Sequence, residues 1–331
     1  MKTKFSNYQK DFVEFLVIIQ KAKSRTYARL NRDLNELYWN LGKRISEKVH
    51  TENWGKGVVK ELANYISQRS PYIKGFSDKN LWRMKQFYET YQSKPKLSSL
   101  VREIPWTHNT IIFSRCKTEM EREFYLINTS ELKLSKRELE RQISTSQFER
   151  SILQKPKLSP VVRELYPELE NGFKNSYVLE FLGLPNQYSE NNLQKAILNN
   201  MKQFILELGS DFSFVGEEYR LQVGNQDFFV DLLFFHRGIS ALVAFELKVD
   251  KFKPEQLGKL NFYLEALDRD VKKKHENPSI GILLCRDKDD EVVEYALSRN
   301  MSPTLIAQYE LQLPDKKLLR DKLHEIISIV T

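Results

Sequence analysis

One stretch limits the folds open to this chain: Asp227 to Lys248, DFFVDLLFFHRGISALVAFELK. Its apolar runs read as two strands, with His236-Arg237-Gly238-Ile239 as the turn between them. Asp231 interrupts the first run, and Glu246-Leu247-Lys248 ends the second. Burying an unpaired charge costs on the order of several kcal/mol, so strand interiors rarely carry one. Side chains alternate along a strand, which puts Glu246 and Lys248 on one face. A turn centred near residues 237–239 sets Asp231 opposite a residue near 244–246. The three ionisable groups then converge on one patch of sheet.

Two carboxylates a few ångströms apart suit a hard divalent cation, Mg²⁺ or Mn²⁺, with a strand carbonyl as a further oxygen ligand. A lysine beside them is placed to orient a metal-bound water and to stabilise charge on a phosphate. In-line attack of that water on a phosphodiester is the chemistry such a set fits. A buried ion pair that merely supports the sheet is the competing reading, and an acid inside Phe-Phe-Val-Asp-Leu-Leu-Phe-Phe is a costly way to build one.

Around this stretch the pattern is mixed. Asn191–Leu208 reads as one amphipathic helix and Phe212–Val223 as the strand before the hairpin. Pro254–Leu267 reads as a helix, Ser279–Leu284 as a short strand, Asp289–Arg299 as a helix and Thr304–Gln308 as a last strand. This αβββαβαβ order predicts a mixed sheet flanked by helices. Further candidate site residues follow. Glu207 could reach over the sheet from the end of the preceding helix. Only one of Glu217 and Glu218 can share Asp231's side of its strand. Gln256 and Tyr263 lie seven apart on one helix face, and Lys259 on that helix could touch a phosphate.

The first half has a different character. Residues 1–175 carry 33 Lys and Arg against 20 Asp and Glu, and residues 176–331 carry 19 against 24, so the net +8 hides a basic half and an acidic half. That asymmetry is expected when one part grips phosphates and the other holds cations. Residues 5–48 read as a long helix, with apolar positions Phe12, Phe15, Leu16, Ile19, Leu30, Leu34, Leu37, Tyr38 and Leu41. A second helix spans Val58–Gln68. Ser77 caps a third, which directs Arg83 and Lys85 outward and is compatible with a helix-turn-helix unit. Ser135-Lys136-Arg137-Glu138 has the capping-box form, and Lys136, Arg137 and Arg141 make its helix the better recognition candidate. The decamers KPKLSSLVRE and KPKLSPVVRE, ending at Glu103 and Glu164, both read as loops. Cys116 and Cys285 are too few for a disulfide framework, and five scattered histidines do not suggest a metal site. No apolar run reaches the roughly 18 residues of a membrane span. The opening MKTKFSNYQKDFVEF does not read as a signal peptide, so a cytoplasmic location is expected.

Asp231 followed by Glu246-x-Lys248 on the next strand resembles the PD-(D/E)XK nuclease superfamily. The wider run resembles its YhcG-type subfamily: residues 228–235, Phe245–Lys248, Lys253-Pro254-Glu255 and Gly258–Leu264. The first half is similar to that subfamily's DUF1016-like domain through Tyr38-Trp39-Asn40-Leu41-Gly42, Gly75-Phe76-Ser77 and Ser135-x-Arg137-Glu138-Leu139-Glu140-Arg141-Gln142-Ile143. The superfamily's namesake Pro is Val230 here, a change that removes no ligand. The resemblance implies an α plus α/β chain. Residues 1–165 would form a basic, all-α, helix-turn-helix-like DNA-binding domain, and residues 166–331 a restriction-endonuclease-like αβββαβ nuclease domain. It also implies a bacterial-type, metal-dependent nuclease that acts on DNA in processing, restriction-like defence or mobile elements, as a homo-oligomer or with a partner subunit. A non-catalytic DNA-binding or regulatory protein on the same scaffold, or an interaction subunit, is the competing expectation.

Overall fold

The computed structural model describes residues 9–167, 173–209 and 211–330. The chain divides into two compact units, Met1–Leu139 and Glu140–Thr331. No helix among the described residues is long and apolar enough to cross a membrane.

The first unit is helical: α1 (Gln9–Thr51), α2 (Lys56–Arg69), α3 (Asp78–Tyr91), α4 (Pro95–Glu103), α5 (Trp106–Arg115), α6 (Glu119–Glu131) and the start of α7 (Lys136–Ser144). Residues 5–8 of the expected first helix, and the side chains of Phe12, Leu16 and Ile19, lie outside the described residues. Of the expected apolar stripe, Leu34, Tyr38 and Leu41 enter the core with Ile45, Val59, Leu81 and Met84, whereas Phe15, Leu30 and Leu37 are exposed. Gly42 lets α1 cross α3 closely, because a Cβ there would meet the Met84 carbonyl oxygen at 2.0 Å. Ser77 accepts from the Asn80 amide at 3.3 Å, and the Ser135–Glu138 capping box forms in both directions, at 2.6 and 3.3 Å.

The two similar decamers are not loops. In the first, Pro95 starts α4 at a position where a missing N–H costs nothing. In the second, Pro160 replaces the residue equivalent to Ser99, so the helix starts later. Lys157–Leu158 instead pairs as strand β1, and α9 begins at Pro160. The equivalent valines, Val101 and Val162, are both fully buried.

The second unit continues with α8 (Gln147–Leu153), β1, α9 (Pro160–Leu165), β2 (Ser176–Val178), α10 (Glu190–Asn199), α11 (Met201–Leu208), β3 (Phe212–Val223), β4 (Gln226–His236), β5 (Ala241–Lys251), α12 (Gln256–Ala266), β6 (Asn277–Asp287), α13 (Asp290–Ser298), β7 (Thr304–Glu310) and α14 (Lys316–Val330). Residues 191–208 are two helices rather than one, broken at Asn200, whose side chain turns back to the Ala196 carbonyl at 2.9 Å. The sheet runs β1-β7-β6-β5-β4-β3, with β2 also on β7. The β3-β4-β5 meander is antiparallel and the β5-β6-β7 half is parallel. One face buries Leu232, Phe234, Phe245, Leu247, Ile282 and Leu284 against α10 and α11. The other buries Leu233, Ala244, Leu283 and Cys285 against Leu260, Tyr263 and Leu264 of α12. Gly281 allows α12 to sit this low, since a Cβ there would come within 2.8 Å of Leu260 Cγ.

Candidate active site

The β4–β5 ladder ends at Leu232↔Phe245, one step before Asp231 would face Glu246. Beyond that point Asp231 takes other partners. Its carbonyl accepts from Gln194 Nε2 at 2.9 Å, and its Oδ2 accepts from the Leu247 amide at 2.7 Å. β5 continues on β6 with Glu246↔Leu283 and Lys248↔Cys285. Strand alternation therefore directs Asp231, Glu246 and Lys248 to the α12 face.

Glu246 is fully buried. Its Oε1 receives two ammonium groups, Lys259 Nζ at 2.8 Å and Lys248 Nζ at 3.0 Å. Its Oε2 is buried with no hydrogen-bond partner among the described residues. Lys248 Nζ also reaches both oxygens of Glu190 at 3.0 Å. Glu190 opens α10, where Ser189 and Asn192 form a capping box. Lys259 lies 5.3 Å from the centre of the buried Tyr263 ring.

The electrostatics follow from this layout. Burial, and then the charge of Glu246, push the Asp231 carboxyl up to about 6; the Leu247 amide and the two lysines offset this only in part. Burial disfavours the Lys248 charge, yet Glu246 and Glu190 hold its ammonium above the usual lysine range. Lys259 is raised in the same way by Glu246 against its own burial. Among the described residues no three His, Cys, Asp or Glu side chains converge as metal ligands. The donor set is two carboxylates with one buried oxygen open. That fits a small hard cation, which keeps most of its waters and takes one or two protein carboxylates.

Other expected site residues fall elsewhere. Glu207 is not brought to this set. It is fully buried under Arg141 Nε at 2.9 Å, Lys174 Nζ at 3.0 Å, Arg150 Nη2 at 3.5 Å and the Val178 amide at 3.1 Å. Burial opposes its charge, but these three cations hold its carboxyl below the usual range. Arg141 is therefore not an outward recognition residue. It bridges Glu207, Glu180 at 2.6 Å and the Val178 carbonyl. Lys85 does not point outward either, since it is half-buried and paired with Glu89 at 2.7 Å. Arg83, Lys136 and Arg137 are exposed. Gln256 accepts from the Lys253 amide at 3.0 Å and so tightens the start of α12. Glu217 and Glu218 are both exposed, and Glu218 has a φ of 41°.

Sequence reasoning missed Glu190. The signal was present in Ser189-Glu190-Asn191-Asn192, a capped start just before an amphipathic run, but the helix was expected to begin at Asn191.

Residues 14–150 match the model of the DUF1016 N-terminal domain, and residues 170–324 match that of the YhcG PDDEXK nuclease domain. The Escherichia coli (strain K12) protein named "Putative nuclease YhcG" is 32% identical over 96% of this chain and 94% of its own length. Among solved structures, a repair endonuclease from Pyrococcus abyssi is 16% identical, with a TM-score of 0.27 over 40% of this chain and 50% of that one. The EndoMS-dsDNA2 complex is 18% identical, with a TM-score of 0.27 over 40% of this chain and 48% of that one. With a helical first half, a mixed sheet carrying Asp231 and Glu246-x-Lys248, and a full-length relative above 30% identity, the chain belongs to the YhcG family of PDDEXK nucleases.

Proposed function

We propose that this chain is a divalent-metal-dependent DNA nuclease of the cytoplasm, with Asp231 and Glu246 as metal ligands and Lys248 as the group at the attacking water. One observation carries the reading: Glu246 is fully buried with Oε2 unpartnered, beside a second carboxylate whose proton affinity is raised by burial and then by the Glu246 charge. Two like charges at one buried site disfavour each other until a cation arrives. A bound Mg²⁺ or Mn²⁺ supplies Lewis acidity and an activated water there.

The chain's own groups supply the rest. The Leu247 amide fixes the Asp231 carboxylate. Glu190 and Glu246 hold Lys248 charged, placing an ammonium to orient the water and to stabilise the developing phosphorane charge. Residues 1–165 are the handle for DNA in this reading. Their net positive charge, and exposed Arg83, Lys136 and Arg137, support it.

The test uses purified protein with supercoiled plasmid and with branched DNA, in Mg²⁺, in Mn²⁺ and in chelator. Wild type cleaves with metal and stops with chelator, while Asp231→Ala and Lys248→Ala lose cleavage by about 10²-fold or more. Cleavage that survives both substitutions removes this site from the mechanism. A DNA shift with no cleavage in any metal favours a binding module on a nuclease scaffold.

A further inference from the structure

Two lysines share one oxygen of Glu246, and they are not equivalent. Lys248 is held by two carboxylates and its side chain is 15% exposed; Lys259 has one carboxylate partner, Glu246, lies against the Tyr263 ring and is 49% exposed. Lys248 is fixed on a central strand, whereas Lys259 projects from α12 on a four-carbon stem that can swing without moving the helix. Charge balance points the same way. Asp231, Glu246 and Glu190 bring three negative charges to the cluster, and the two lysines return two positive ones. A divalent cation added to both lysines overshoots to a net positive site. The same cation with Lys248 alone matches the three carboxylates.

We propose that Lys259 is a resident counter-cation of the metal site. In the free protein its ammonium neutralises Glu246, and on metal binding it is released from that carboxylate to contact a phosphate of the nucleic acid. The inference rests on the metal-site reading above. Lys259 then works in two directions: it competes with the metal in the free protein and adds to DNA affinity in the loaded one. Cation and substrate loading are coupled through a single swinging side chain.

The experiment compares full-length wild type with Lys259→Gln, Lys259→Arg and Glu246→Gln. Mn²⁺ binding without DNA is read by electron paramagnetic resonance. Duplex DNA binding in Ca²⁺ is read by fluorescence anisotropy across a salt series. Lys259→Gln is expected to bind Mn²⁺ about two- to fivefold more tightly, the scale of a half-exposed ion pair. It should bind DNA more weakly, with a salt slope shallower by about one. Lys259→Arg keeps a cation and stays near wild type in both assays. A merely structural role for Lys259 would weaken both ligands together, so unchanged or weaker Mn²⁺ binding in Lys259→Gln overturns the proposal. Tighter Mn²⁺ with unchanged DNA binding overturns the phosphate half of it. Mn²⁺ binding that Glu246→Gln does not reduce overturns the metal-site reading itself, and the proposal with it.

Discussion

Glu207 and Glu246 lie in the same unit and both are fully buried, yet their surroundings differ in kind. Glu207 has both oxygens occupied: Lys174, Arg150 and the Val178 amide approach Oε1, and Arg141 approaches Oε2. Among the described residues every close partner of its carboxylate is a donor. Glu246 has two donors on one oxygen and none among the described residues on the other, with a second carboxylate beside it. A saturated carboxylate holds a fold together, because its charge is spent on fixed partners. Glu246 has its two ammonium partners on one oxygen and keeps the other open beside a like charge, the arrangement the proposed cation site calls for. Burial is common to both acids; an open oxygen with a second carboxylate beside it sets Glu246 apart from Glu207.

Neutralising the saturated acid is expected to have the largest effect. Glu207→Gln leaves Arg141, Arg150 and Lys174 without their shared anion, and is expected to cost about 3–5 kcal/mol in urea unfolding. A cost below about 1 kcal/mol would show that the cluster is not structural. Lys174 sharpens the point, since burial, set against Glu207, already depresses its ammonium to about 8.

The unsaturated site should respond with the opposite sign. The folded Asp231 carboxyl titrates at about 6 against an ordinary 3.8, so the native protein binds this proton more tightly than the unfolded chain. Wild-type stability therefore falls as pH rises through that window, and Asp231→Asn removes the loss. In chelator at pH 7.5 the variant is expected to be more stable by on the order of 1–3 kcal/mol, and the gain should vanish near pH 4. An Asp231→Asn protein that is less stable than wild type at pH 7.5 would place Asp231 with Glu207, as a structural acid.

How much of this was legible in the sequence follows from the physics of each residue. Asp231, Glu246 and Lys248 could be read because strand alternation and a short turn fix which side chains meet within one hairpin. Glu190 and Glu207 could not be told apart in the same way. They sit near opposite ends of the 190–208 segment, and the sheet decides which end overlies the site. The break at Asn200 was also hidden, since apolar spacing continues across it. Arg141 misled for a related reason. A cation on a capped helix looks the same whether it will meet phosphate or a carboxylate 66 residues along the chain. In the decamers, the difference between Ser99 and Pro160 and a strand partner in β7 decided between helix and strand.

Arg137 and Arg141 differ in the same sense outside the sheet. They are four residues apart on α7, one exposed and one bound to Glu207 and Glu180. Arg137→Ala is expected to change stability by no more than about 0.5 kcal/mol while making DNA binding less salt-dependent by about one unit of slope. Arg141→Ala is expected to lower stability and leave the slope of the folded fraction unchanged. If Arg141→Ala alone altered the slope, the buried cluster would have to open on DNA.

The most direct measurement is the rate of plasmid cleavage in Mg²⁺ per folded molecule, for Glu246→Gln beside Glu207→Gln, with the folded fraction taken from unfolding curves. Glu246→Gln is predicted to stay folded and lose about 10²-fold or more of its rate. Glu207→Gln is predicted to lose folded protein while each folded molecule cleaves at the wild-type rate. Wild-type cleavage by folded Glu246→Gln, or a rate loss confined to Glu207→Gln, would contradict the assignment of the metal site.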